Sequence, residues 1–182
     1  MELIYTNREE VPQDGSEYFP IVTPEGIVTG MASRKKCHDG SKLNLHPVVH
    51  LHVFNEKGEL YMQKRSLSKD IQPGKWDTAV GGHVDYGESI AQALAREARE
   101  ELSIEQILPR FLFSYVYVSD KEREMVNAFA VTYNGPILAD PGEISDSRFW
   151  TMDEIRNNLG KYVFTPNFEH EFAMLEKQFQ KK

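Results

Sequence analysis

The sequence lacks cysteine pairs, long apolar runs and an excess of positive charge. Its 182 residues include a single cysteine, Cys37, so no internal disulfide and no Cys-x-x-Cys motif can form. No apolar run approaches the roughly 18 residues that a membrane-spanning helix needs, and the N-terminus has no basic-then-apolar signal pattern. These absences predict a protein of the reducing cytoplasm that does not enter a membrane.

The charge balance is acidic, with 28 Asp and Glu against 21 Lys and Arg and a net charge of −7. Such a charge argues against a partner that is itself a polyanion, so neither nucleic acid nor an anionic membrane surface is expected. Composition is that of an ordinary globular protein, at 40% apolar and 27% charged residues. The length fits one domain with a sizeable core.

Apolar periodicity predicts strands first, then one helix, then further strands and two helices. Strands are predicted within 18–34 (two of them), 48–54, 60–64, 76–82, 107–118, 125–133 and 147–150, with a polar loop at 35–44. Thr151 with Glu154, and Thr165 with Pro166, begin the last two helices. This order predicts an α/β fold, an α/β/α sandwich around a mixed β-sheet.

The chain is organised around residues 82–104, whose second half is predicted to be helical. Ser89 and Gln92 have the spacing of a capping box. Apolar residues then recur every four positions and form one stripe. They are Ile90, Leu94, Ala98 and Leu102.

Three carboxylates crowd one face of this helix. Glu97, Glu100 and Glu101 stand at i, i+3 and i+4, a spacing at which like charges destabilise a helix. One interpretation is a solvated acidic face. The other is a site for a divalent cation such as Mg²⁺, which prefers carboxylate oxygens.

The wider pattern around these glutamates resembles the Nudix box of the Nudix hydrolase superfamily. The matching positions are Gly82, Glu88, Arg96, Glu97, Ala98, Glu100, Glu101 and Ile104. One position departs, since Ser103 stands where the family has glycine after the helix. The resemblance covers about 45–159 and implies a single Nudix domain over 1–182. Within it, 1–44 would be an N-terminal extension with a hairpin, 45–159 the core and 160–182 a C-terminal helix.

The resemblance also implies roles for the matching residues. Glu97, Glu100 and Glu101 would bind Mg²⁺ or Mn²⁺ together with the backbone carbonyl near Gly82, and Glu97 would help to activate water. Glu88 and Arg96 would pair and hold the loop on the helix. The substrate would be a small molecule containing a diphosphate, and a homodimer can be expected for such enzymes.

Residues outside the box could bind phosphate or serve as a base. Lys64 and Arg65 are candidates for contacts with phosphate oxygens, the alternative being an exposed basic loop. If no box glutamate is the base, loops after the box offer others. These are Glu122, Glu124 and Glu143.

Histidines suggest a branch of the superfamily. His38, His46 and His83, with Glu122 and Glu124, fall where isopentenyl-diphosphate isomerase has a metal site. Imidazole with carboxylate would suit Zn²⁺ or Mn²⁺. The alternative is that His38 and His46 only anchor the N-terminal segment.

Two positions differ from the isomerase pattern. Gly81 stands where the isomerase has a cysteine, and Asn167 stands where it has a tryptophan. Without a thiol and an aromatic wall, proton transfer across an alkene is difficult. The sequence therefore favours a pyrophosphohydrolase acting on a nucleoside diphosphate linked to another group. The alternatives are the isomerase itself and a non-catalytic Nudix domain that senses a ligand.

Overall fold

The computed structural model describes residues 2–6, 9–69 and 71–180 of the chain. The strands are β1 (Ile4–Tyr5), β2 (Tyr18–Val22), β3 (Ile27–Ser33), β4 (Leu45–Phe54), β5 (Leu60–Arg65), β6 (Trp76–Asp77), β7 (Val80–His83), β8 (Arg110–Val118), β9 (Arg123–Thr132) and β10 (Ile144–Trp150). The helices are α1 (Arg34–Cys37), α2 (Ile90–Leu102), α3 (Met152–Asn158) and α4 (Pro166–Gln180). The predicted C-terminal segment 160–182 contains α4, and its last two residues lie outside the described part of the chain.

The strands form two sheets. A three-stranded sheet has the order β1-β3-β2, with β1 parallel and β2 antiparallel to β3. A seven-stranded sheet has the order β10-β5-β4-β9-β8, while β6 pairs with β5 and β7 pairs with β4. Strand β10 is antiparallel to β5 and shifts register between Ile144 and Asp146, where the Ser145 hydroxyl donates to the backbone oxygens of Lys64 and Arg65.

The chain divides into two compact units, one of 1–50, 81–96 and 113–128 and the other of 51–80, 97–112 and 129–182. The first unit holds the three-stranded sheet. Its small cores contain Val22, Val28, Leu45 and Met125 in one cluster and Phe19, Ala32 and Cys37 in another. The second unit has a larger core in which helices α3 and α4 take part. Its buried members include Leu60, Met62, Trp150, Ile155, Phe168 and Phe172.

The single predicted strand at 76–82 is wrong, because the structure has two strands there. Trp76–Asp77 pairs with β5, whereas Val80–His83 pairs with β4. Between them the Asp77 carboxylate accepts a hydrogen bond from the backbone N–H of Thr78. This local bond favours a turn over a continued ladder.

The predicted loop at 35–44 is also partly wrong, since its first residues belong to helix α1. The His38 N–H donates to the Arg34 oxygen, which closes one turn. Ser33 stands at the N-cap without a side-chain cap bond. A four-residue helix has no room for apolar periodicity, so the sequence pattern did not reveal it.

Candidate functional site

Helix α2 is held by its cap and by its apolar stripe. The Ser89 hydroxyl accepts from the Gln92 N–H, and the Gln92 side-chain oxygen accepts from the Ser89 N–H. The four stripe residues predicted from the sequence are all buried. The polar faces of the helix are therefore fixed in orientation, because rotating the helix would expose the stripe.

Arg96 joins this helix to the loop that precedes it. Its Nε and Nη2 atoms donate to the two carboxylate oxygens of Glu88, at 3.0 and 2.9 Å. Nη2 also donates to the backbone oxygen of His83 at 2.9 Å. A bidentate pair of this kind has a fixed geometry, and here it fixes the end of β7 against the start of α2.

The three glutamates of α2 differ in exposure. Glu100 is exposed, Glu97 is half-buried and Glu101 is 8% exposed. Burial, and then repulsion from Glu97, raise the pKa of Glu101 to about 8. Gln63 Nε2 on β5 donates to Glu101 Oε2 at 2.8 Å and partly offsets this shift. A cation would neutralise the negative charge that the two carboxylates share.

Basic residues approach Glu101 from the end of β5 and the following loop. Arg65 and Lys69 each lower the pKa of Glu101 through their charges. Arg65 donates to the Ile71 oxygen at 3.0 Å and lies 3.4 Å from the Asp77 carboxylate. Side chains alternate along a strand, so Gln63 and Arg65 share a face of β5 and Lys64 lies on the other.

Gln63 and Lys69 were not among the residues predicted for the site. Gln63 carries a weak signal, since it is a polar residue directly after the buried run Leu60 to Met62. Lys69 has none beyond its position in a basic loop. It forms an ion pair with Glu143, which was a candidate base.

The three histidines of the predicted second site come together within the first unit. His38 follows α1, His46 lies in β4, and His83 ends β7. One ring nitrogen from each lies within 4.8 Å of the others, the one such set of three found among the described residues. The Nε2 atoms of His38 and His83 are 3.0 Å apart, so these imidazoles face a common point.

His46 presents a buried lone pair. It is fully buried, and its Nδ1 lies 2.9 Å from the Asn44 backbone oxygen, to which it can only donate. That bond assigns the proton to Nδ1 and leaves Nε2 as an acceptor. Nε2 has no hydrogen-bond partner among the described residues. A buried acceptor without a donor is the state expected of a metal ligand whose other nitrogen is anchored.

Burial favours the neutral form of two of these imidazoles, His46 and His83. It lowers the pKa of His46, and it lowers the pKa of His83 well below the usual value, with His46 and His38 adding to the effect. Glu122 and Glu124 are also buried, and Glu122 Oε2 lies 3.5 Å from His38 Nε2. Neutral imidazoles beside buried carboxylates form a donor set that fits a Zn²⁺ or Mn²⁺ ion.

The two positions that separate this chain from the isomerase pattern lie in ordered elements. Gly81 is in β7, and Asn167 is in the first turn of α4. The only cysteine, Cys37, is buried, and burial raises the pKa of its thiol to about 12. The chain therefore supplies no accessible thiol of ordinary acidity.

The chain belongs to the NUDIX domain family, whose model matches residues 44–168. An uncharacterised Nudix hydrolase of Pseudomonas aeruginosa is 38% identical over 97 residues, which are 53% of this chain and 57% of that protein. The chain thus matches little more than half the length of that relative. The isopentenyl-diphosphate Delta-isomerase of Escherichia coli O127:H6 is 35% identical over 159 residues, 83% of this chain and 87% of that enzyme.

Among solved structures, a Deinococcus radiodurans protein superposes with a TM-score of 0.67 at 27% identity, covering 79% of this chain and 90% of that one. These likenesses confirm the predicted Nudix relationship, including its isomerase-like branch, and the α/β fold. The protein is an enzyme of the Nudix hydrolase class. Among the described residues, no helix is both long and apolar enough to cross a membrane.

Proposed function

We propose that the protein is a metal-dependent pyrophosphohydrolase that cleaves the diphosphate of a nucleoside diphosphate linked to another group. The observation that carries the proposal is Glu101, a buried carboxylate beside Glu97 whose pKa is raised to about 8. Largely buried carboxylates at this spacing destabilise the folded state when both are ionised, unless a cation neutralises their charge. An isolated acidic face exposed to solvent would show no such shift.

The carboxylates fit Mg²⁺ or Mn²⁺, which take oxygen ligands. In the proposal, Glu97, Glu100 and Glu101 hold the ions. A bound divalent ion supplies Lewis-acid stabilisation of the phosphate oxygens and of the attacking water. Gln63 fixes the orientation of Glu101 through the hydrogen bond described above.

Two basic residues of the second unit, Arg65 and Lys69, would bind the diphosphate. Arg65 offers a planar guanidinium suited to phosphate oxygens, and Lys69 adds a point charge. Water adds to one phosphorus, and the bond from that phosphorus to the bridging oxygen breaks, which releases two phosphate-bearing products. We assign the water proton to Glu97, because Glu122 is engaged with His38 and Glu143 with Lys69.

The histidine set is proposed as a second metal site, in which His83 is the one histidine that lies in the segment 82–104. His38, His46 and His83 would provide three imidazole ligands, and Glu122 and Glu124 the carboxylates. The buried acceptor at His46 Nε2 supports this over an anchoring role alone, because a merely structural histidine would be expected to have both nitrogens bonded.

The hydrolase proposal is tested by incubating the protein with Mg²⁺ or Mn²⁺ and a substrate panel. The panel holds ADP-ribose, sugar nucleotides, dinucleoside polyphosphates and NADH, and products are separated by ion-exchange chromatography. Turnover of at least one compound is expected, and Glu101→Gln should abolish it. The matched control Glu105→Gln changes an exposed glutamate four residues beyond Glu101 and should retain activity. Absence of turnover on every compound would contradict the proposal.

Isopentenyl-diphosphate isomerisation is a second candidate, favoured by the isomerase relative and by the histidine set. The absence of an accessible thiol and the presence of Asn167 disfavour it. The test is incubation with isopentenyl diphosphate and Mg²⁺ plus Mn²⁺, with NMR detection of the allylic isomer. Formation of that isomer would replace the hydrolase proposal, and no formation is the expected result.

A further inference from the structure

Phe19 lies against all three histidines of the second site. Its ring is stacked on that of His83, with centroids 4.3 Å apart and an interplanar angle of 5°. It also stacks on His46 at 5.7 Å and 22°, and approaches His38 at 6.2 Å with a tilt of 56°. No motif in the sequence indicates this role, since Phe19 precedes His83 by a long stretch of chain.

The Phe19 ring is itself held in place. It is 1% exposed and packs with Ala32 and Cys37 in a small core of the first unit. Its backbone pairs with Ala32 in the β2–β3 ladder. Strand pairing fixes the backbone of Phe19 and core packing fixes its ring, so the ring presents a rigid flat face.

Polar contacts fix the ring plane of His83 less firmly than that of His46. The proton and ring plane of His46 are fixed by the Asn44 oxygen. Within the described part of the chain, the ring nitrogens of His83 make one polar contact, the 3.0 Å approach of Nε2 to His38 Nε2. A bound ion would displace that contact, because both nitrogens would point their lone pairs at the ion. The His83 ring also stacks on His46, at 5.4 Å and 18°. The stack on Phe19 is closer and more nearly parallel, so it would then be the main contact that keeps the His83 ring from turning.

We propose that Phe19 is a positioning residue that fixes the ring plane of His83, and through it the convergence of the three imidazole nitrogens on a cation. The inference rests on the proposed histidine metal site. Residues behind metal ligands commonly contribute about 10- to 100-fold to metal affinity. Phe19 would make that contribution through ring stacking rather than through the usual hydrogen bond.

The test is a Co²⁺ titration of Phe19→Leu and Phe19→Met, in a Glu101→Gln background that removes the box site. Affinity is measured by competition with a chromophoric chelator, and ligand geometry by the visible absorption of bound Co²⁺. Leu and Met differ in shape, and neither has a ring plane, so a shared effect reports the loss of the ring rather than the shape of one replacement. We expect both variants to bind Co²⁺ about tenfold more weakly, with a changed visible spectrum.

Phe172→Leu in the same background is the matched control. Phe172 is fully buried in the core of the other unit, so its change costs packing without touching a histidine. It should leave the Co²⁺ affinity and spectrum unchanged. If the Phe19 variants bind Co²⁺ as the parent does, Phe19 has no positioning role. If the parent shows no Co²⁺ spectrum that His83→Ala removes, the histidine site itself fails and the inference with it.

Discussion

Ser103 is the residue at which the chain departs from the Nudix pattern, and its backbone conformation is unusual. Its φ is 53°, in the left-handed region, and its N–H donates to the Arg99 oxygen at 3.0 Å. This is the helix ending that favours glycine. Since a side chain there costs about 1–2 kcal/mol, Ser103→Gly should raise the free energy of unfolding by about 0.5–1 kcal/mol after the entropy cost of glycine. Urea denaturation measures it.

The control for this variant is Ser16→Gly. Ser16 is also an exposed serine outside the helices and strands, but it is not among the described residues with a positive φ. Without strain to relieve, it should gain no stability. Equal effects at the two positions would show that strain at Ser103 is not the cause.

Glu101 makes the stability of the metal-free protein depend on pH. Its folded pKa of about 8 lies above the ordinary glutamate pKa of 4.5, so the folded state binds more protons between these values. Stability is therefore fully present below about pH 4.5 and is lost as pH rises towards 8. We expect the free energy of unfolding to fall by up to about 1.4 kcal/mol per pH unit in this window, measured by denaturation in the presence of a chelator.

Glu101→Gln should flatten this dependence, because an amide does not titrate. Glu100→Gln changes the exposed neighbour and should leave the slope in place. A slope that survives Glu101→Gln would have to come from another group, and the raised pKa of Glu101 would not be its origin.

At the scale of elements, side chains of strand β5 alternate between its two faces and so separate Lys64 from Arg65, which were predicted together as phosphate-binding candidates. Arg65 shares the face of Gln63, which bonds to Glu101, and Lys64 does not. We expect Arg65→Ala to raise the KM for the diphosphate substrate about tenfold, the loss of about 1.4 kcal/mol of binding. Lys64→Ala should change KM by less than about twofold, and steady-state kinetics gives both values.

Because Arg65 also contacts Asp77 and the Ile71 oxygen, Arg65→Ala could raise KM by disturbing these contacts, and a second variant serves as a control. Arg65→Lys keeps the charge but loses the planar fork, so its KM should lie between those of the parent and of Arg65→Ala. A larger effect at Lys64 than at Arg65 would place the phosphate on the opposite face of β5.

Elements with strong local signals were predictable from the sequence. Helix α2 follows from the Ser89 cap and its four-residue apolar repeat, and α3 from the Thr151 capping box, which the structure also contains. The split between β6 and β7 was not predictable, because it depends on which strand each segment pairs with. Pairing of this kind is decided by contacts distant in sequence.

The same limit applies to the site. The glutamates of α2 could be placed on one face because helical geometry fixes their spacing. The bond from Gln63 to Glu101 spans 38 residues, and the stack of Phe19 on His83 joins two separate strands. No periodicity encodes contacts of this range. The histidines were predicted only through resemblance to a known family.

At the scale of the whole molecule, the proposed function requires an acidic chain to bind an anionic substrate. The net charge of −7 repels a diphosphate, so cations must compensate locally. In these proposals each unit carries its own set of cation ligands, carboxylates alone in the second unit and imidazoles with carboxylates in the first. The two sets differ in ligand chemistry and can therefore be emptied one at a time.

We expect the protein to bind Mn²⁺ at both sets. Metal analysis after dialysis should show that Glu101→Gln and His83→Ala each lose one class of bound metal, and that the double variant loses both. Mn²⁺ at 100 times its dissociation constant should stabilise the parent by about 2.7 kcal/mol per site, and each single variant by correspondingly less. If His83→Ala also emptied the carboxylate set, the proposal of two independent sets would be contradicted, because independent sites respond only to the loss of their own ligands.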